Sequence, residues 1–384
     1  MQLGILPEQG GGLANLSRSG QDTRFFEQYV RLYAREFEEV HYFSYARKRA
    51  ERNALSRNEP IAENFRLHCN PGFHRWLYGL ALPVVHARAL RRCSVTRVMQ
   101  ATGAIPAWLA RLFFGVPFVT TYGYHYGTHY LADSPEGRWR ARLFQRRAEW
   151  ALRRADGVIV TTAALADYVG RFAPRERITL IPNSVDATRF SPAPGESGSA
   201  GRQRLIAVGS LTVRKNHNLL VEAVALTGRD KIEVVILGTG PEEETLRRLA
   251  ADKRVTLELP GIVPNEQLPE WLRRADAYLI TSHHEGHPKS LLEAMSVGLP
   301  CIGTDVPGIR DILVEGETGR LCPSEPAPLA AAINAVLSDR QVARAIGAQA
   351  RRFILENHDA QVVIAREIAF LKAVARRSTS KETV

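Results

Sequence analysis

The chain has 384 residues, 45% hydrophobic and 24% charged, which is ordinary for a folded globular protein and enough for two sizeable cores. Its formal charge of +11 is lopsided: residues 1–200 carry 27 Lys and Arg against 17 Asp and Glu, and residues 201–384 carry 24 against 23. No run of 18 apolar residues spans a membrane, the four cysteines show no close pairing, and no zinc-finger or RNA-recognition signature points to nucleic acid.

The first predicted strand, Gln2–Leu6, runs into Gly10-Gly11-Gly12, a loop whose backbone suits a close approach to a ligand. Strands follow at Val40–Phe43, Arg97–Ala101, Phe118–Tyr122, Gly157–Thr161 and Ile178–Ile181, with helical periodicity between them. Leu77 to Leu90 is apolar but interrupted by Pro83, His86 and Arg88, and reads as one buried or interfacial helix. A helix with a Trp139, Leu143, Phe144, Trp150 and Leu152 stripe carries the densest basic run, Arg138 to Arg154. That run is either a solvated face or a surface for an acidic bilayer.

Residues Ser191–Gln203, SPAPGESGSAGRQ, read as a linker between residues 1–190 and 204–360. Beyond it come strands at Arg204–Gly209, Glu233–Leu237, Val255–Leu259, Ala277–Thr281, Pro300–Thr304 and Gly319–Leu321. Residues 361–375 form a last helix, expected to pack back on the N-terminal domain, and 376–384 a polar tail. Strands alternating with helices predict α/β architecture: two Rossmann-like doubly wound domains with parallel sheets.

Chemistry concentrates after Ala277–Thr281. Glu285 follows that strand, Pro288 suits the first position of a helix, and Glu293 lies five residues on, roughly 7–8 Å along the axis. A helix N-terminus favours a diphosphate, flanking carboxylates accept hydroxyl hydrogen bonds, and Gly286 admits the ligand to the backbone. The alternative is a Lys289–Glu293 surface pair with Glu285 solvated. Arg214 and Lys215 follow Arg204–Gly209 at the sheet edge where ligands bind, and cations there neutralise a leaving diphosphate. Gly238-Thr239-Gly240 lacks the third glycine of a dinucleotide fingerprint. His283, His284 and His287 cluster without the His-Glu-x-x-His spacing, His125 and His129 are four apart, and no Asp-x-Asp occurs. No metal site is expected.

These segments in order resemble the retaining glycosyltransferase family four, of GT-B fold, whose two domains face each other across a cleft. The resemblance is strongest from Ala155 to Leu321 and includes Ile181-Pro182-Asn183-Ser184-Val185-Asp186, Val208-Gly209-Ser210-Leu211 through Lys215, Gly261-Ile262-Val263, the Glu-x7-Glu stretch Glu285 to Glu293, and Thr304-Asp305-Val306-Pro307-Gly308. It is closest to members that build lipid-linked glycans, capsules or exopolysaccharides.

The resemblance implies that Arg214 and Lys215 bind the donor diphosphate, Glu285 faces the sugar and Glu293 the ribose. Gly209 and Gly240 would line the phosphate loop, backbone at Val263 would hold the base, and Gly286 with the amides of His287, Pro288 and Lys289 would meet the phosphates. Gly11, Gly12 and His125 would face the acceptor. Ser210 stands where many members have Arg, and Tyr122-Gly123 where many place a His.

The expected activity is metal-independent, cofactor-free transfer of a hexose-type unit from a nucleotide diphosphate sugar to a glycan or lipid-linked acceptor. A sugar-nucleotide epimerase of the same fold and a non-catalytic sugar-nucleotide-binding protein are the alternatives. The N-terminus, MQLGILPEQGGG, has no signal-peptide pattern. The expectation is a cytoplasmic protein, peripheral on the anionic inner face of the plasma membrane.

Overall fold

A computed structural model describes residues 1–18, 20–57, 61–125, 135–193 and 201–379. His129 and part of the Ser191–Gln203 run lie outside the described residues. The chain forms two compact units, dividing at Pro182–Asn183 and again at Val362–Val363, so that residues from Val363 return to the first unit. Each unit is an α/β domain built on one parallel sheet.

The first sheet has strands β1 (Gln2–Leu6), β2 (Glu39–Ser44), β3 (Phe65–Cys69), β4 (Val95–Val98), β5 (Phe118–Tyr122), β6 (Gly157–Val160) and β7 (Ile178–Leu180), in the order β3-β2-β1-β4-β5-β6-β7. Its order therefore reverses between β1 and β4. Central strands such as β4 and β5 are buried along their whole length, as a sheet covered by helices on both faces requires.

Three expectations for this unit need correction. Strand β3, FRLHC, was not anticipated: among the described residues it pairs only with β2, is half-buried, and its exposed Arg66 breaks the apolar pattern that marks a central strand. The fourth strand starts at Val95, not Arg97, because Val95 and Thr96 are fully buried; Ala101–Gly103 forms a 3-10 turn instead. The apolar Leu77–Leu90 segment is two helices, Arg75–Val85 and Ala87–Leu90, meeting at His86 just beyond Pro83. Pro83, in the last turn of the first of these, removes the amide that would bond to the carbonyl of Gly79 and so weakens continuation of the helix.

The Ala360–Thr379 helix is fastened to the first sheet. Its Phe370 ring fills the space that a side chain at Gly157 would need. Its buried Glu367 pairs with Arg97 of β4 and accepts a 2.6 Å hydrogen bond from the Tyr33 hydroxyl.

The second sheet has β8 (Gln203–Val208), β9 (Ile232–Leu237), β10 (Thr256–Gly261), β11 (Ala277–Ile280), β12 (Cys301–Thr304) and β13 (Arg320–Cys322), in the order β10-β9-β8-β11-β12-β13. It reverses between β8 and β11. Such a switch point opens a crevice outside the carboxyl ends of the strands, because the two following connections diverge to opposite faces.

Candidate functional site

The two connections that diverge at the second unit's switch point are Gly209–Lys215, after β8, and Thr281–Glu285, after β11. Backbone bonds lock them together: His283 N–H donates to the Arg214 carbonyl at 2.9 Å, and the Thr281 hydroxyl donates to the carbonyls of Lys215 and Asn216. Asn216, at φ 50, turns the chain after Lys215 into the His217–Leu226 helix.

Lys215 Nζ consequently lies 2.6 Å from Glu285 Oε1, and Arg214 Nη1 lies 3.5 Å from Glu285 Oε2. The Ser282 hydroxyl also donates to Glu285 Oε1, at 2.6 Å. The Glu285 side chain is 8% exposed and that of Lys215 13%. Burial pushes the Glu285 carboxyl up, but Lys215, Ser282 and Arg214 together outweigh it and hold it below its ordinary value. The site is thus a buried carboxylate ringed by donors, not a solvated glutamate.

Close backbone approaches maintain this crevice. A side chain at Gly240 would sit 2.2 Å from the Leu211 carbonyl oxygen. Gly308, at φ +85, packs against the Glu285–Gly286 backbone, where a Cβ would lie 2.4 Å from the Glu285 oxygen. Gly209 lies under the Lys215 side chain. The Val-Pro-Gly turn after β12 therefore presses on the segment that carries the acid.

The helix after Glu285 begins at Lys289, with Pro288 one position earlier than expected, at its cap. Pro288 has no N–H, so its predicted amide contact is corrected: the donors of the first turn belong to Lys289, Ser290 and Leu291. His287 is buried, its ring 5.2 Å from that of His358, and its carbonyl accepts from Asn183 Nδ2 at 2.6 Å. Burial, then His358 and Lys289, lower its pKa to about 3, so it is neutral.

Glu293 is 2% exposed, so it is not a surface residue, and its Oε1 accepts from Asn265 Nδ2 at 3.1 Å. Val263 is half-buried on the same core, in the turn after β10. Asn265, Ser282 and Asn183 orient the carboxylates and the loop; none was anticipated individually, although each adjoins a segment that was.

The acceptor-side candidates lie in the first unit. Gly11 and Gly12 are buried, and the space beside Gly12 is taken by Glu51 and Ser44. Glu51 accepts from the amides of Leu13 and Ala14. His125 stacks edge-on against Tyr168 at 4.8 Å, and burial lowers its pKa. Tyr122 is fully buried, bonded to Gln145.

Residues 22–189 match the family described as Glycosyltransferase Family 4, and residues 194–353 match Glycosyl transferases group 1. The chain belongs to the family 4 glycosyltransferases. This family 4 chain is 28% identical over 271 residues to a glycogen synthase of Mycobacterium tuberculosis, covering 68% of the chain and 64% of the relative. It is 32% identical over 210 residues to WcaL, a putative colanic acid biosynthesis glycosyltransferase of Escherichia coli, covering 52% and 51%. The chain thus spans between half and two thirds of the length of these relatives. Among solved structures, HepE of Anabaena, crystallised with UDP and glucose, superposes with a TM-score of 0.74 at 16% identity, covering 97% of this chain and all of that one. Sucrose-phosphate synthase of Thermosynechococcus elongatus gives 0.73 at 19% identity, covering 99% and 100%. At such identities the likeness is one of fold. Both units of the GT-B architecture are therefore present in this family 4 glycosyltransferase, and no helix among its described residues is long and apolar enough to cross a membrane.

Proposed function

We propose that the protein transfers a hexose-type sugar, with retention, from a nucleoside diphosphate sugar to an acceptor hydroxyl. The observation that carries this reading is the Lys215–Glu285 pair at the switch point, with Arg214 against the same carboxylate. The UDP and UDP-glucose complexes of HepE support the donor class.

Without donor, Lys215 is neutralised by Glu285. An arriving diphosphate offers the ammonium a stronger anion, and Lys215 turns to it together with Arg214, which supplies charge at the place where many relatives carry Arg instead of Ser210. Glu285 keeps its Ser282 hydrogen bond and turns its freed acceptor capacity to the sugar hydroxyls. Glu293, oriented by Asn265, takes the ribose, the Val263 turn the base, and the Lys289–Ser296 helix N-terminus the phosphates. The acceptor hydroxyl binds in the first unit.

The acceptor oxygen attacks the anomeric carbon from the face the diphosphate leaves. The carbon–oxygen bond to the diphosphate breaks, and a diphosphate oxygen takes the acceptor proton. Arg214 and Lys215 meet the developing charge, the part a divalent metal plays in other sugar transferases. Thermal-shift measurement with a panel of nucleotide sugars tests the donor reading. At least one should raise the melting temperature of the wild type by mass action, and the shift should vanish in Lys215→Met. Equal shifts in both proteins overturn it.

A further inference from the structure

The chain passes between its two units at Pro182–Asn183 and again at Val362–Val363. On the second unit's side these crossings are zipped together. Val185 N–H donates to the His358 carbonyl at 3.0 Å, and Ala360 N–H donates to the Val185 carbonyl at 2.8 Å, around a parallel bridge between Val185 and Asp359. A displacement of either segment therefore strains the backbone bonds of the other.

The same segments are fastened to the loop that carries Glu285. Asn183 Nδ2 donates to the His287 carbonyl at 2.6 Å, and the Asn183 carbonyl lies 3.1 Å from His358 Nδ1. A carbonyl oxygen can only accept, so His358 Nδ1 carries the proton of that bond. The His287 and His358 rings are both buried and lie 5.2 Å apart, and Phe353 packs on His358 at 5.3 Å. Asn183 thus joins three segments distant in the chain: the first crossing, the loop before the Lys289–Ser296 helix, and the second crossing. Beyond Asn183 the first crossing stays on that helix, whose eight residues make it about 12 Å long. At the far end the Ser296 hydroxyl donates to the Phe190 carbonyl at 2.7 Å, and Arg351 donates to the carbonyls of both Phe190 and Ser296. Arg273 holds the Arg189 and Ser191 carbonyls. Residues 183–191 are therefore bonded at both ends of the helix that presents Glu293.

We propose that Asn183 and His358 are positioning residues that tie the Glu285–Pro288 loop to both crossings, so that a nucleoside diphosphate seated on the loop stiffens the two crossings together. This rests on the donor reading. A diphosphate that draws on the amides from Lys289 onward orders the turn before them. The His287 carbonyl carries that order through Asn183 to Val185 and, across the bridge, to Ala360.

Hydrogen–deuterium exchange of the full chain tests this, read on peptides covering 183–190, 283–291 and 356–362, with UDP, GDP, ADP and dTDP in turn and with none. A nucleotide that slows exchange in 283–291 should also slow both crossings, by about fivefold. In Asn183→Ala and in His358→Phe the slowing should remain in 283–291 and vanish from the crossings; circular dichroism verifies both folds. His358→Phe keeps the ring and leaves the loop's own bond to Asn183 in place, so it decides the matter if Asn183→Ala binds no nucleotide. Arg273→Met removes a contact that grips the first crossing away from the loop. It should speed exchange in 183–190 without nucleotide and keep the nucleotide-dependent slowing. Crossings untouched by nucleotide in the wild type, still slowed in either variant, or released in Arg273→Met as well overturn the proposal and leave the donor reading standing. No slowing in 283–291 with any of the four nucleotides refutes the donor reading, and this inference with it.

Discussion

Replacing Lys215 by methionine keeps the aliphatic bulk and removes the ammonium 2.6 Å from Glu285. Removing one partner of a fully buried pair costs roughly 3–5 kcal/mol. Here the Ser282 hydroxyl and Arg214 remain on the carboxylate, and protonation offers Glu285 an escape. The expected loss is therefore about 2 kcal/mol at pH 7. The sign of the pH dependence follows from the groups involved. In the wild type the Glu285 carboxyl is held below its ordinary value, so its contribution is present above the ordinary carboxylate range and lost as pH falls through the lowered value. With Lys215 gone, burial dominates and the carboxyl rises; the deficit should then shrink as pH is lowered from 8 to 5. Urea unfolding of wild type, Lys215→Met, Glu285→Gln and the double variant closes a thermodynamic cycle. The double variant should be more stable than the sum of the singles by about 2 kcal/mol. Additive losses that do not change with pH would refute the account of the pair.

Elsewhere the expectations are simpler. Glu367→Leu strands the buried Arg97 guanidinium and the Tyr33 hydroxyl, and should cost about 3–5 kcal/mol by urea unfolding, while Arg97→Leu/Glu367→Leu should recover much of it. Gly308→Ala forces a Cβ against the Glu285 carbonyl at a positive φ, and should cost about 1–3 kcal/mol and also lower the nucleotide-sugar thermal shift. A chelator should leave transfer unchanged within about twofold if the two cations carry the leaving-group charge; complete loss would point to a metal-dependent site.

The arrangement proposed to seat the donor was legible because its geometry is local. A strand, a short loop and a helix start, in sequence, put Glu285 at a carboxyl edge and bury Glu293 about one turn into the helix. Arg214 and Lys215 were placed by the same rule on the neighbouring strand. The contacts that complete the site join residues far apart in the chain: Lys215 with Glu285, Asn265 with Glu293, and Gly308 with Gly286. Periodicity carries no trace of these. Strand β3 escaped because an edge strand half in solvent lacks a continuous apolar run. The basic helix was visible, but not that Arg146 and Arg147 lie at a cavity against the connection after β4, since neighbouring strands are set by crossovers. The close packing of Gly12 against Glu51 and Ser44 is likewise a contact between distant residues that the glycine loop alone does not show.

Lys215 and Glu285 are proposed as the seat of a nucleotide-sugar donor. Calorimetric titration of the full chain with UDP-, GDP-, ADP- and dTDP-sugars, wild type beside Lys215→Met, tests it most directly. The wild type should bind at least one donor saturably, and the variant should lose about tenfold or more in affinity. Binding of no donor, or equal affinity in both proteins, would contradict it.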